Sequence, residues 1–167
     1  LRQGGLVASD KEAANESVRT SLSIRETAEG YRALGAYELW VTRNFDNAVE
    51  ALARSLRLAE TAEAHVLLAS ARLYLGQVDA AYASINAAIR RDRSIPTLFR
   101  VVLGQIHFAA GRYNDAVDEL TIALRELPPV DTGAGMTESS CPGFHLIVSQ
   151  FYLCLLYTSP SPRDTAL

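Results

Sequence analysis

Four twelve-residue segments of this chain repeat one pattern of small and apolar side chains, and they recur every 33 to 35 residues. They are AANESVRTSLSI from Ala13, NAVEALARSLRL from Asn47, AAYASINAAIRR from Ala80 and DAVDELTIALRE from Asp115. Ala14, Ala48, Ala81 and Ala116 fill one column, and Val18, Leu52, Ile85 and Leu120 fill the next. Ser21, Ser55, Ala88 and Ala123 follow, then Leu22, Leu56, Ile89 and Leu124. Steps of four, three and one place these side chains on a single stripe of a helix, whereas a strand would show strict alternation.

A second apolar-rich stretch precedes each of the last three copies, at 31–42, 64–75 and 98–110, and a further one lies at 144–153. Gly76 and Gly111 stand between the two stretches, where a helix has to stop and reverse; glycine tolerates the left-handed backbone such a stop often needs. Each unit therefore reads as helix, tight turn, helix. The expected fold class is all-α, an α-solenoid of antiparallel helix-turn-helix repeats over residues 1–153. Its parts are a half unit at 11–26, units at 29–60, 62–94 and 97–128, a polar glycine-containing insert loop at 129–141 and a partial unit at 142–153. One helix pair cannot bury its own stripe, so neighbouring pairs must stack to build a core.

The last residues depart from this pattern. CLLYTSPSPRD, from Cys154 to Asp164, resembles the translation of a transposon adapter used to tag DNA for short-read sequencing. Residues 154–167 are therefore expected to be an adapter-derived tail and are set apart from the fold. Cys141 is then the one remaining cysteine, which leaves neither an intrachain disulfide nor a paired-cysteine metal site.

Within the third unit, LGQIHFAAGRYNDAVDELTIALRELP from Leu103 resembles the signature of the tetratricopeptide repeat family. Leu103, Gly104, Gly111, Tyr113, Ala116, Leu120, Ala123 and Pro128 occupy its columns. Unit two has Ala69 in the glycine column and unit one has Ala36, with Arg43 at its turn. On this alignment the first aromatic column of the signature is filled by Arg32, His65, Arg100 and His145, and the second by Leu39, Arg72, His107 and Tyr152. Ala48, Ala81, Gly104, Gly111 and Ala116 are the expected repeat-packing positions.

The resemblance implies a protein-interaction scaffold whose concave surface is lined by the first helix of each unit. Carried across by column, the partner-binding groove takes Ala33, Tyr37, Trp40 and Val41, then Val66, Ser70, Leu73 and Tyr74, then Val101, Gln105, Phe108 and Ala109. Leu146, Gln150 and Leu153 would continue the row. Such a groove is apolar and aromatic, suited to a peptide or partner protein with apolar anchors. The column of Trp40, Leu73 and Phe108 fits core packing equally well. The alternative role is a regulatory or sensor segment of a larger multidomain signalling protein, such as a cyclase, kinase or transcription regulator, since arrays of this kind are often fused to bacterial regulatory domains. Arg32, His65, Arg72, Arg100, His107 and His145 form two columns seven residues apart, readable as a basic stripe or as stems paired with neighbouring acids.

Other classes find little support. A net charge of −3 does not suggest the broad basic surface nucleic acid requires, so none is expected as a partner. The longest apolar stretch, 144–157, is shorter than the roughly 18–20 residues that span a bilayer, so no membrane partner is expected. Cys141 and His145 lack the further ligands or orienting group that metal or nucleophilic chemistry needs. No phosphate loop, HExxH or GxSxG is present. The chain is expected to be no enzyme, to need no cofactor, and to reside in the cytoplasm; its first residue is Leu1 rather than Met.

Overall fold

The computed structural model describes residues 3–126, with side chains described at 13 and 15–126; the insert at 129–141, the partial unit at 142–153 and the tail at 154–167 lie outside the described residues. The chain divides into two units, Leu1–Arg93 and Ser94–Leu167. The described residues are helical and contain no strand, which gives the all-α, tetratricopeptide-like class expected from the repeats.

In the first unit, α1 (Gln3–Ile24) precedes two helix pairs. α2 (Ala28–Tyr37) runs into a π-helix (Glu38–Thr42) and pairs with α3 (Phe45–Leu58), and α4 (Ala62–Tyr74) pairs with α5 (Val78–Arg91). In the second unit, α6 (Thr97–Ala109) pairs with α7 (Tyr113–Glu126). α1 begins at Gln3, well ahead of residue 11; from Leu6 to Ile24 the sequence holds no glycine or proline to interrupt it.

Helix starts follow local chemistry. The hydroxyls of Thr27 and Thr61 and the side-chain oxygen of Asn44 accept from the backbone N–H three residues on, at Gly30, Ala64 and Asn47. Glu29, Asp46 and Glu63 in the first turns add charge of the sign that a helix N-terminus favours. In the last three copies the first three columns of the stripe then bury as their spacing requires. In α1, by contrast, Val18 is half-buried and Ser21 exposed, and the fourth column of Leu22, Leu56, Ile89 and Leu124 is half-buried or exposed. α3 buries Ala48, Ala51, Leu52 and Ser55, α5 buries Ala81, Ser84, Ile85 and Ala88, and α7 buries Ala116, Leu120 and Ala123. In the first unit Leu39, Ala48, Leu52, Leu68 and Ala71 form one core cluster, closed over by Phe45, Val49, Leu56 and Leu67. Ser55 is enclosed but satisfied, donating to the Ala28 carbonyl at 2.8 Å.

The three pairs share a register that periodicity alone misplaces in the first. Counting from the residue before the first helix, Thr27, Thr61 or Pro96, the close-contact position lies eight residues on, at Gly35, Ala69 and Gly104. Gly35, not Ala36, is therefore the counterpart of Gly104: a Cβ on Gly35 would stand 2.5 Å from Leu52 Cγ, as one on Gly104 would stand 2.6 Å from Leu120 Cγ. The dipeptide Leu34-Gly35 is then the signature Leu-Gly, and Tyr31, four residues before the glycine, fills the first aromatic column assigned above to Arg32.

The slip has one cause. The second and third pairs close with Gln77 N–H on the Arg72 carbonyl and Arg112 N–H on the His107 carbonyl, a span of five residues in each. In the first pair the equivalent bond, Asn44 N–H to the Glu38 carbonyl at 2.9 Å, spans six. One extra residue sits between Glu38 and Arg43, and the π-helix absorbs it by widening the turn.

Gly76 and Gly111 take φ of 74° and 73°, and Arg43, at the same point of the first pair, takes φ of 56°. A side chain in this left-handed region is disfavoured by roughly 1–2 kcal/mol. Arg43→Gly is therefore expected to raise stability by about 0.5–1 kcal/mol, part of the relief being lost to the freer unfolded chain, with a higher urea midpoint at unchanged slope.

Candidate functional site

The turn end of the first pair carries an exposed aromatic cluster that lies wholly within the first unit. Phe45 and Tyr74 stack with ring centres 5.0 Å apart and planes inclined by 17°. Trp40 meets Tyr74 edge-on at 6.3 Å and 86°. Both are arrangements that the ring quadrupoles favour. Trp40 is 47% exposed and Tyr74 38%, with Val41 exposed beside them and Phe45 half-buried. Burial around the Tyr74 phenol pushes its pKa above the ordinary value, a shift the positive charge of Arg43 partly opposes. The ring thus stays neutral, an apolar body with one polar tip.

Two residues expected in the groove, Trp40 and Tyr74, meet here. Phe45 joins them unforeseen: it opens α3 just after the Asn44 cap, ahead of the stripe on which the sequence count rested. Other expected groove residues are placed differently. Val66 and Ser70 are 1% and 2% exposed and Gln105 is 8% exposed, so these three act in packing, and the Ser70 hydroxyl turns back onto the Val66 carbonyl at 3.2 Å. Tyr37 is half-buried, and in the corrected register its counterparts are the fully buried Ala71 and Ile106, whereas Ala36 is the counterpart of Ser70 and Gln105. Leu73, Val101 and Phe108 are half-buried, and in the second unit Phe108 tilts against Tyr113 at 5.6 Å.

Four of the five described members of the basic columns, His65, Arg72, Arg100 and His107, find partners nearby. Arg100 Nη1 donates to Glu119 at 3.0 Å, with its Nε 3.8 Å from Glu126. Arg72 donates to Ser84 Oγ at 2.7 Å and to the Ala80 carbonyl at 3.3 Å. His65 Nε2 lies 3.0 Å from Glu60, which also pairs with Arg91; the His65 contact, ahead of Arg91, holds the Glu60 carboxyl below its ordinary range. The Arg72 and Arg100 contacts join the two helices of a pair, so these two side chains act as paired stems.

His107 is held below the ordinary imidazole pKa, first by desolvation and then by the positive charge of Arg112, against the opposing pull of Asp115 and Glu119. The folded state thus prefers the neutral ring. The unfolded chain takes up the proton as pH falls below about 6.5, so stability present above that value is lost on acidification through the folded pKa. The urea midpoint of the second unit is expected to fall between pH 7.5 and 5, and His107→Gln to flatten that part of the profile.

A separate cleft of about 230 Å³ lies among α1, α2 and α3, with Arg19, Tyr31, Glu38 and Arg54 on its walls. Its charges are satisfied internally, Arg19 by Glu38 at 2.9 Å and Arg54 by Glu50 at 3.0 Å. Among the described residues no group of three or more His, Cys, Asp or Glu comes together to hold a metal ion, and no helix is long and apolar enough to cross a membrane.

Antiparallel helix pairs, a small residue buried at one recurring position and a left-handed turn residue between partners define a helical-repeat protein. The sequence profile of the tetratricopeptide repeat matches residues 34–94 and again 66–131, and the chain belongs to that family. Tetratricopeptide repeats generally mediate protein–protein interaction, binding proteins or peptides, and the family is typically a non-catalytic scaffold. No curated protein shows a significant match to the chain.

Proposed function

We propose that this chain is an interaction scaffold that captures a protein or peptide partner through the aromatic cluster of Trp40, Phe45 and Tyr74, with Val41 at its edge. The observation that carries the reading is the exposure of Trp40 beside two rings already ordered against each other. An apolar surface of this kind in contact with water is a site where a partner's aliphatic or aromatic anchor gains most from association. Rings whose positions are fixed before binding also lose little entropy on capture.

The chain contains a single tryptophan, so emission from Trp40 reports on this site and no other. Peptides selected from a random display library against the intact chain are expected to share an apolar or aromatic anchor and to shift Trp40 emission to the blue on saturation. Selected peptides that bind with the Trp40 spectrum unchanged would place the interaction surface elsewhere.

A further inference from the structure

Glu38 sends its two carboxylate oxygens in different directions. Oε1 accepts from Arg19 Nη2 on α1 at 2.9 Å, and Oε2 accepts from the Thr42 hydroxyl, at the end of the π-helix, at 2.6 Å. Its backbone carbonyl takes the bonds that close the widened turn, from Thr42 Oγ1 at 3.0 Å, from Asn44 N–H at 2.9 Å and from the N–H of Arg43. Trp40 and Val41 lie between these two anchor points. The carboxylate is almost enclosed, its side chain 6% exposed, while Arg19 is 53% exposed.

We infer that Glu38 is a positioning residue for the aromatic cluster, and that α1, acting through Arg19, holds the π-turn in the form that presents Trp40. The inference rests on reading that cluster as the partner site and concerns its control. An enclosed carboxylate depends on its counter-charge. Without Arg19 the carboxylate loses this counter-charge and is drawn toward water, which alters the contact with Thr42 on which the turn closes. The strain of a widened turn is kept only where its surroundings over-determine it, and the Glu38 network supplies that determination. α1 also touches α2 through an apolar contact, Leu22 lying over Gly30 with Cδ2 only 2.7 Å from where a Cβ on that glycine would stand. Loosening α1 and breaking the carboxylate bridge are therefore separable.

Trp40 emission reads the turn without any partner. Arg19→Ala is expected to shift the emission to the red and raise its quenching by acrylamide while far-UV circular dichroism stays at the parent value; Arg19→Lys should keep the parent spectrum. Thr42→Val, at the other end of the same carboxylate, should reproduce the Arg19→Ala shift and serves as the deciding variant where Arg19→Ala lowers helical content. Leu22→Ala weakens the apolar side of the α1 contact and should leave the emission unmoved. Parent spectra for both Arg19→Ala and Thr42→Val would overturn the inference, as would a Leu22→Ala shift as large as theirs. A selected peptide that ignores Trp40 would defeat the partner-site reading and leave these spectra as they are.

Discussion

Gly104→Val is expected to destabilise the second unit by about 3 kcal/mol, read as a lower urea midpoint at unchanged slope. A Cβ built on Gly104 stands 2.6 Å from Leu120 Cγ and 2.9 Å from its Cδ2, and Leu120 is fully enclosed, so it has no solvent to swing into. Valine adds two methyls beyond that point. The other pairs show how the contact is met by size. Gly35 faces Leu52 in the same way, with Cγ 2.5 Å from a notional Cβ, whereas the counterparts in α4 and α5 are Ala69 and Ile85, both fully buried. Leucine branches at Cγ, where the intruding atom would sit, and isoleucine branches one carbon earlier. Gly104→Ala alone is therefore expected to cost about 1–2 kcal/mol net of its helix-propensity gain, and Leu120→Ile added to it to recover part of that loss. A double-mutant cycle measures the coupling. If Gly104→Ala instead stabilises by the roughly 1 kcal/mol that propensity alone predicts, the close approach is not what selects glycine here.

The same contact shows how far the sequence could be read. The second helix of every pair was legible in three of its four columns: Ala48, Ala81 and Ala116 sit in equivalent, fully buried places because a fixed stripe on a regular helix needs only its period to be recognised. In the fourth column, by contrast, Leu56 and Ile89 are half-buried and Leu124 is exposed. The first helix of the first pair was legible only from its far end. Counting back from Ala48 assumed an α-helical rise throughout and so assigned the glycine column to Ala36. The extra residue in the π-helix shifts everything before it by one, which hid Leu34-Gly35 and Tyr31 although both stand in the sequence in plain signature spacing. A π-turn has no composition of its own; what marks it is an arithmetic excess, 13 residues from Gly35 to Ala48 against 12 from Ala69 to Ala81 and from Gly104 to Ala116.

The candidate site was legible in part for a related reason. Column transfer assigns a role by position along a helix, and it reached Trp40 and Tyr74, whose exposure follows from lying near a helix end. It could not tell that Val66, Ser70 and Gln105 are enclosed, because burial depends on what neighbouring helices bring. Phe45 lay outside the counted columns, since an N-terminal helix residue owes its position to the preceding turn and cap rather than to the stripe.

Trp40→Ala is expected to weaken binding of a selected anchor peptide by about thirtyfold, near 2 kcal/mol, while thermal unfolding of the first unit stays close to the parent. The two halves of that statement have different physical sources. Tryptophan at the centre of an interface is a frequent hot-spot residue because one rigid ring desolvates a large area on contact. Removing it from the free protein forfeits little, since the ring is nearly half exposed and its edge contact with Tyr74 contributes about 0.5–1.5 kcal/mol beyond area burial at most. Leu39 provides the comparison, one residue earlier on the same turn and only 1% exposed within the core cluster. Leu39→Ala leaves a cavity and should cost about 2–5 kcal/mol of stability, with any loss of binding following the loss of fold. Should Trp40→Ala lower the melting temperature as Leu39→Ala does, the indole belongs to the core; should it leave peptide affinity at the parent value, the anchor lies on another part of the surface.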